Sequence, residues 1–188
     1  HAADEPLADN SALPTWFLSR FARERVTVAL SGDGGDELFA GYETYIASRM
    51  ARLLSLAPAP AWRAMHAVAD AALPVTFGKV SLEHKVRYFL GGLQHGWPAA
   101  HFAWRSIFSP GEMARLLLPG RAAGAAADPY AAFAEAHAEV ADAETLDRLL
   151  YTDLRTWMVD DVLVKTDRMS MAHGLEVRTP FLDHRVME

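Results

Sequence analysis

The sequence of 188 residues contains no cysteine. Disulfide bonds, zinc sites built from thiolates and a cysteine nucleophile are therefore excluded within these residues, since each of them needs a thiol. The eight histidines do not indicate a zinc site either, because none of them has the H-E-x-x-H spacing. Thiol and zinc chemistry are thus not predicted for this chain.

Long apolar runs and an excess of basic charge are also absent. No run reaches the roughly 18–20 apolar residues that cross a membrane, and the first residues do not have the pattern of a signal peptide. The 24 acidic residues outnumber the 18 lysines and arginines, and the formal net charge is −6. Because basic stripes do not occur either, we expect a cytoplasmic protein that binds neither a membrane nor nucleic acid.

The chain has only 12 glycines, but three of them fall in the stretch SGDGG at residues 31–35. The five residues before it, 26–30, are apolar or β-branched and predict one short buried strand. The apolar-periodic run at residues 38–54 predicts a helix. A glycine loop between a strand and a helix lies where open α/β sheets bind ligands, and the amides of a helix start favour an anion.

Three acids lie in this loop and just after it, at Asp33, Asp36 and Glu37. A phosphate group and these carboxylates would repel each other in one pocket. A Mg²⁺ ion removes the conflict, because it binds one or two carboxylates together with phosphate oxygens. The loop therefore predicts a phosphate or pyrophosphate site with Mg²⁺. The alternative is ordinary helix punctuation, since Asp caps helices and acids are common in first turns.

The rest of the chain is predicted to be mostly helical. Asn10 or Ser11 is expected to cap a helix that ends near Glu24. Residues 119–128, PGRAAGAAAD, predict an exposed linker. Because only one strand is predicted, we expect the other strands of its sheet outside these 188 residues. The further predicted helices cover residues 61–73, 82–94, 98–108, 109–118, 129–141 and 143–159.

A second unusual stretch, residues 160–183, combines dense charge with Val, Leu, Met and Phe. It has too many charges for a core and too many apolar residues for a solvated loop. It predicts a buried network of ion pairs and hydrogen bonds near a functional site. The alternative is a structural network that docks a helix and the Thr179-Pro180 turn. The charged members are Asp160, Asp161, Lys165, Asp167, Arg168, Glu176, Arg178 and Asp183.

The two motifs together resemble the synthetase domain of glutamine-hydrolysing asparagine synthetases. The resemblance is carried by SGDGGDELFAGY (residues 31–42) and VLVKTDRMSMAHGLEVRTPFLDHR (residues 162–185), with a similar segment at residues 4–19. It implies an α/β fold of the ATP-pyrophosphatase type, with a parallel sheet flanked by helices. Residues 1–188 would be a mostly helical fragment of that domain. The glutaminase domain and the family's first phosphate loop, of the SGGxDS type, are expected upstream of His1.

The resemblance also implies a reaction that uses ATP and Mg²⁺. ATP adenylates the side-chain carboxylate of aspartate and releases pyrophosphate, and ammonia then attacks the β-aspartyl-AMP intermediate. The ammonia comes from glutamine, through the glutaminase domain of the same protein. The partners are thus aspartate, ATP and ammonia, and a homodimer of the full-length protein is compatible with the resemblance. The 188 residues alone are expected to be inactive, because half of the site would be missing.

By the same resemblance, Ser31, Gly32, Asp33 and Gly34 are expected to bind ATP. Ser31 and Gly32 would lie near the ribose and the α-phosphate. Asp36 is the expected metal ligand and would share Mg²⁺ with the pyrophosphate.

The expected catalytic residues are Asp33, Glu37, Lys165 and Arg168. Asp33 would lie near the substrate or the attacking ammonia. Glu37 would contact the residues that bind the ligands, and not the ligands themselves. Lys165 and Arg168, with Asp167 between them, would border the aspartate and pyrophosphate pocket. The remaining polar residues of the second motif are expected to hold the domain together: Ser170, Glu176, Arg178 and Asp183.

Other readings of the motifs stay open. One is an amidotransferase with a different carboxylate acceptor, from a polysaccharide or natural-product pathway, or a β-lactam synthetase. Another is an inactive helical remnant. The acids Asp33, Asp36 and Glu37 favour the amidotransferase branch over the ring-forming enzymes.

Overall fold

The computed structural model of the chain describes residues 2–4, 7–54, 56–74, 81–106, 108–116 and 128–188. These residues form two compact units. The terminal unit joins the two ends of the chain, His1–Gly41 and Glu135–Glu188, and the middle unit is Tyr42–Ala134. The linker predicted at residues 119–128 lies outside the described residues except for Asp128.

The described residues are mostly helical, with one small sheet, and this part of the chain is thus α/β as predicted. A π-helix, Met158–Leu163, leads directly into the α-helix Val164–Met171, and a 3₁₀ turn, Pro180–Leu182, follows the strand Glu176–Arg178. The other elements in chain order are α1 (Ala12–Arg23), β1 (Val28–Leu30), α2 (Gly35–Phe39), α3 (Glu43–Leu54), α4 (Ala59–Ala72), α5 (Leu82–Leu93), α6 (Ala99–Arg105), α7 (Pro110–Leu116), α8 (Ala131–Glu139), α9 (Thr145–Arg155), α10 (Val164–Met171), β2 (Glu176–Arg178) and α11 (His184–Met187).

The sheet of the terminal unit has two parallel strands, β1 and β2, among the described residues. Val28 lies opposite Glu176, and Leu30 lies opposite Arg178. β2 is a strand that the sequence did not predict. Its three residues hold only one apolar side chain between two charges, and this is too short a pattern to separate a strand from a loop.

The prediction of a buried strand at residues 26–30 is wrong in two respects. The strand covers only three residues, and the side chains of Val28 and Leu30 are 39% and 73% exposed. An apolar run predicts burial only when both faces of a sheet are covered by other elements. In the described part of the chain, β1 has a single neighbouring strand, and every second side chain stays open to solvent.

The single helix predicted at residues 38–54 is also wrong, because α2 and α3 are separate. Ala40 adopts a left-handed conformation, with φ of 55°, and this ends α2. The amide of Gly41 then donates to the carbonyl oxygen of Asp36, 2.9 Å away. A Cβ on residue 41 would lie 2.0 Å from Oδ1 of Asp36, so only glycine fits beneath this carboxylate.

The end of α10 is fixed by a Schellman motif. Gly174 is left-handed, with φ of 67°, and the amide of Leu175 donates to the carbonyl of Ser170. From α1, the side chain of Arg23 donates to the carbonyl oxygen of Gly174 at 3.1 Å. After this turn the chain continues into β2, which pairs with β1.

The middle unit is built from helices close to the predicted ones. The chain brings α5 and α6 into close approach at Gly92, where an added Cβ would lie 2.0 Å from Nε1 of Trp104. That indole nitrogen donates to the carbonyl oxygen of Tyr88 at 2.9 Å. The core cluster consists of Ala51, Trp62, Ala69, Leu90, Leu93, Ala100 and Trp104.

Two adjacent glycines of α5 provide a test of this packing. Gly92→Ala should lower the free energy of unfolding by about 1–3 kcal/mol, because the new methyl group displaces the Trp104 ring. Gly91→Ala is the matched control, since its Cβ would meet nothing closer than His66 at 3.6 Å. It should raise the free energy of unfolding by up to about 1 kcal/mol through helix propensity. Urea unfolding measures both, and equal stability of the two variants would contradict the close approach.

Candidate functional site

The predicted order of strand, glycine loop and helix is present in the terminal unit. β1 ends at Leu30, the loop occupies residues 31–34, and α2 begins at Gly35. The amide of Ser31 donates to the carbonyl oxygen of Arg178 at 2.9 Å, which extends the pairing of the two strands by one hydrogen bond. The loop therefore starts at the carboxyl ends of two parallel strands.

Asp33 joins this loop to the second motif. Its Oδ2 accepts a hydrogen bond from Oγ of Ser31 at 2.8 Å and another from Oγ1 of Thr166 at 2.9 Å. The amide of Asp33 also donates to Oγ of Ser31 at 3.2 Å. Ser31 and Asp33 were both predicted to bind ATP, whereas Thr166 was not among the predicted site residues.

Lys165, the residue before Thr166, forms an ion pair with Asp9. Nζ of Lys165 lies 2.7 Å from Oδ2 of Asp9, and the two side chains are only 14% and 17% exposed. Asp9 also accepts hydrogen bonds from the amide and the hydroxyl of Ser11. Burial by itself would raise the pKa of Asp9, but the hydrogen bonds from Lys165 and Ser11 outweigh it and hold the pKa below its usual value.

The start of α1 differs from the prediction. Ser11 occupies the N-cap position, but its side chain makes no capping hydrogen bond to the helix. The hydroxyl of Ser11 donates instead to the Asp9 carboxylate. This carboxylate orders the turn before α1 and also accepts a hydrogen bond from Lys165.

Asp161 lies near this ion pair, on the π-helix. Its Oδ2 is buried and has no hydrogen-bond partner in the part of the chain that the structure describes. Burial raises the pKa of the Asp161 carboxyl, the negative charge of Asp9 raises it further, and the positive charge of Lys165 opposes both. Lys165 is thus the positive centre between two carboxylates.

The acids of α2 differ strongly in exposure. Asp36 is exposed, whereas Glu37 is 1% exposed and belongs to the interior. The described residues contain no group of three or more carboxylates or histidines that could hold a metal ion. Asp36 is thus the more accessible of the two acids of α2.

The two glycines of the predicted ATP site have different surroundings. Gly32 is exposed, and an added Cβ would meet nothing within 4 Å. Gly34 is buried and left-handed, with φ of 92°, and an added Cβ would lie 2.5 Å from Cδ2 of Leu182 in the 3₁₀ turn. Gly32 is thus open to a ligand, while Gly34 lets the loop pack onto the second motif.

The prediction of a buried ionic network holds for Lys165 but is wrong for several other charges of the second motif. Arg168 pairs with Asp4 at 2.7 Å, and both side chains are exposed. Arg178 pairs with Glu176, two residues earlier on β2, and this pair is exposed as well. Side chains two residues apart on a strand share one face, and this face of β2 is open to solvent.

Three polar residues whose side chains contact predicted site residues were not assigned to the site by the sequence: Asp4, Asp9 and Thr166. Asp9 lies in the polar opening segment, whose resemblance to the family could have drawn attention to it. Thr166 has no such signal, because a threonine in a helix is common and its partner is 133 residues away.

The sequence matches the family model described as asparagine synthase over residues 1–188. A Mycobacterium tuberculosis protein, provisionally named a glutamine-hydrolyzing asparagine synthetase, is 38% identical over 184 residues, which is 97% of this chain and 26% of that protein. Asparagine synthetase (glutamine-hydrolyzing) 1 of Bacillus subtilis is 32% identical over 188 residues, 98% of this chain and 28% of that protein. No solved structure matches the chain.

The chain thus spans about a quarter of the length of these curated relatives. A shorter match, 58% identical over 43 residues, links it to a Methanocaldococcus jannaschii protein with a similar provisional name; it covers 23% of this chain and 8% of that protein. Among the helices of the described residues, none has both the length and the apolar character needed to cross a membrane.

Two substitutions in the loop test its packing. Gly34→Ala should lower the free energy of unfolding by about 1–3 kcal/mol, because the methyl group both strains a left-handed residue and collides with Leu182. Gly32→Ala should change it by less than about 0.5 kcal/mol, as expected for an exposed position without contacts. The measurement is urea unfolding at neutral pH. A Gly34→Ala variant as stable as Gly32→Ala would contradict the packing of the loop on Leu182.

Proposed function

Because this chain belongs to the asparagine synthase family, we propose that it forms part of an ATP-dependent ligase that converts aspartate to asparagine. The observation that carries the proposal is the junction of the two motifs at one place. The Asp33 carboxylate of the glycine loop is hydrogen-bonded to Thr166, next to the buried Lys165–Asp9 ion pair. Acidic and basic groups from distant parts of the sequence are thereby held at the carboxyl end of a parallel sheet.

The first step of the proposed reaction is adenylation. An oxygen of the aspartate side-chain carboxylate attacks the α-phosphorus of ATP, and pyrophosphate leaves. The carboxylate needs no general base, because it is already ionised at neutral pH. Ser31 and the exposed Gly32 are proposed to lie along the nucleotide, where a small residue lets the phosphates approach the backbone.

Asp36 is proposed to bind Mg²⁺ together with the pyrophosphate oxygens. The glycine at position 41 supports this role, because a Cβ there would occupy the space that the Asp36 carboxylate takes up. Mg²⁺ would neutralise the negative charge of the leaving pyrophosphate. Glu37 follows Asp36 in the sequence and is buried. It is proposed to stabilise α2 from the interior of the unit.

The second step is attack of ammonia on the acyl carbon of the aspartyl adenylate. The nitrogen must lose a proton as the amide forms, and Asp33 is proposed to accept it. Lys165 and Arg168 are proposed to border the aspartate and pyrophosphate pocket, with Lys165 held in place by Asp9. The names of the relatives include glutamine hydrolysis, which supports glutamine as the source of ammonia.

The finer parts of the family resemblance belong to the same proposal. We infer that the two parallel strands are part of an ATP-pyrophosphatase-type sheet, and that the protein is cytoplasmic. A glutaminase domain on the same polypeptide would supply the ammonia.

The test of this function is pyrophosphate release by the protein that carries these 188 residues. Release should require both ATP and aspartate, and glutamate, one methylene longer, should replace aspartate poorly. Asparagine should form when glutamine or ammonium chloride is added. Pyrophosphate release with another carboxylate instead of aspartate would support a ligase but contradict aspartate as its acceptor. Absence of release with every carboxylate would overturn the proposal.

Asp36→Ala should lower the rate of aspartate-dependent pyrophosphate release by at least about 100-fold, the order expected when one preorganised electrostatic group is lost. The control is Asp142→Ala, which removes an exposed acid of the same unit that has no place in the proposed site. Circular dichroism should show that both variants are folded. An active Asp36→Ala variant would remove Asp36 from the Mg²⁺ role.

A further inference from the structure

We propose that Thr166 is a positioning residue for Asp33, and that its hydroxyl orients the Asp33 carboxylate toward the attacking nitrogen. This inference rests on the proposed function and adds to it a residue that contacts no substrate. Thr166 would act on the amide-forming step only, through the carboxylate that it holds.

The hydrogen bond of Thr166 is unusual for a threonine in a helix. The hydroxyl of a helical threonine commonly donates to the carbonyl oxygen four residues earlier. Thr15 and Thr152 do so here, with distances of 2.8 Å and 2.7 Å to the carbonyl oxygens of Ser11 and Arg148. Thr166, at the start of α10, donates instead to Oδ2 of Asp33, 133 residues away in the sequence.

The two hydroxyls that reach Asp33 come from different elements. Ser31 belongs to the loop itself and moves with it, whereas Thr166 belongs to α10. Both donate to Oδ2, at 2.8 Å and 2.9 Å, which are ordinary distances for strong O–H···O hydrogen bonds. No side chain in the described ranges donates to Oδ1 of Asp33, so this oxygen is the one left to accept a proton.

α10, which carries Thr166, is anchored near both of its ends. Lys165, next to Thr166, is fixed by the buried ion pair with Asp9, and the end of α10 is closed by the Gly174 turn that Arg23 holds. Threonine is branched at Cβ, which restricts its χ1 angle and reduces the entropy lost on ordering the hydroxyl. Thr166 therefore connects the glycine loop to a helix whose two ends both contact other parts of the unit.

The chemical step shows what the orientation is for. The nitrogen of ammonia forms a bond to the acyl carbon of the adenylate, and the bond from that carbon to the AMP oxygen breaks, with the electron pair leaving on AMP. The nitrogen carries one proton too many for an amide, and this proton passes to Oδ1 of Asp33. A carboxylate that rotates away would make this transfer slower without affecting the earlier attack on ATP.

Two assays on the protein that carries this chain separate the steps. Aspartate-dependent exchange of labelled pyrophosphate into ATP reports adenylation, and asparagine formation from ammonium chloride reports the second step. Thr166→Val keeps the shape and removes the donor. It should lower asparagine formation by about 10- to 100-fold and leave pyrophosphate exchange within about twofold. Thr166→Ser, which retains the hydroxyl, should restore asparagine formation to within about threefold of the unaltered protein.

The control is Thr152→Val, which removes a hydroxyl that is more deeply buried than that of Thr166 but donates to its own helix. It should leave both assays within about twofold. If Thr166→Val does not fold, as judged by circular dichroism, Thr166→Ala takes its place with the same expectation. An equal loss in both assays, or no loss in either, would overturn the positioning role.

A double-mutant cycle decides whether Thr166 acts through Asp33. In an Asp33→Ala background, Thr166→Val should cause no further loss of asparagine formation beyond about twofold, since the carboxylate that it orients is gone. A full additional loss would show that Thr166 acts independently and would overturn the inference. Absence of pyrophosphate exchange in the unaltered protein would overturn the proposed function, and this inference with it.

Discussion

The parallel pairing of β1 with β2 is the constraint on which the terminal unit depends. It places Val28–Leu30 beside Glu176–Arg178, which are separated by almost 150 residues of chain. Parallel strands cannot be joined by a tight turn, so the intervening chain must leave the sheet and return. The return passes through α10 and the Gly174 turn, and this route places Thr166 within hydrogen-bond distance of the glycine loop.

Polar groups at the site are ordered by one another and not by a large core. Lys165 is stabilised by Asp9, Asp9 by Ser11, and Asp33 by Ser31 and Thr166. A buried charge is costly unless it is paired and hydrogen-bonded. Loss of one of these contacts would therefore leave its partner group without compensation. Asp161 has a buried oxygen without a partner among the described residues, and burial, together with the negative charge of Asp9, raises the pKa of its carboxyl.

Small residues determine how closely the elements approach. Gly34 lets the loop pack onto the 3₁₀ turn, Gly41 leaves room for the Asp36 carboxylate, and Gly92 admits the Trp104 ring of the middle unit. At each position a Cβ would lie within 2.5 Å of another side chain. The glycine-rich motif therefore serves two purposes, since Gly32 is open to a ligand while Gly34 is part of the packing.

The sequence by itself determined the family, the mostly helical α/β class, and the strand, loop and helix around Ser31, because these depend on local residue types and on long motifs. It did not determine the strand β2, the break between α2 and α3, or the exposure of Val28 and Leu30, because each depends on neighbours distant in the chain. The same holds for the candidate site. Asp33 and Lys165 are site candidates that their motifs indicate. Their partners Thr166 and Asp9 could be identified only from the fold, because hydrogen bonds across 133 and 156 residues leave no pattern in the sequence.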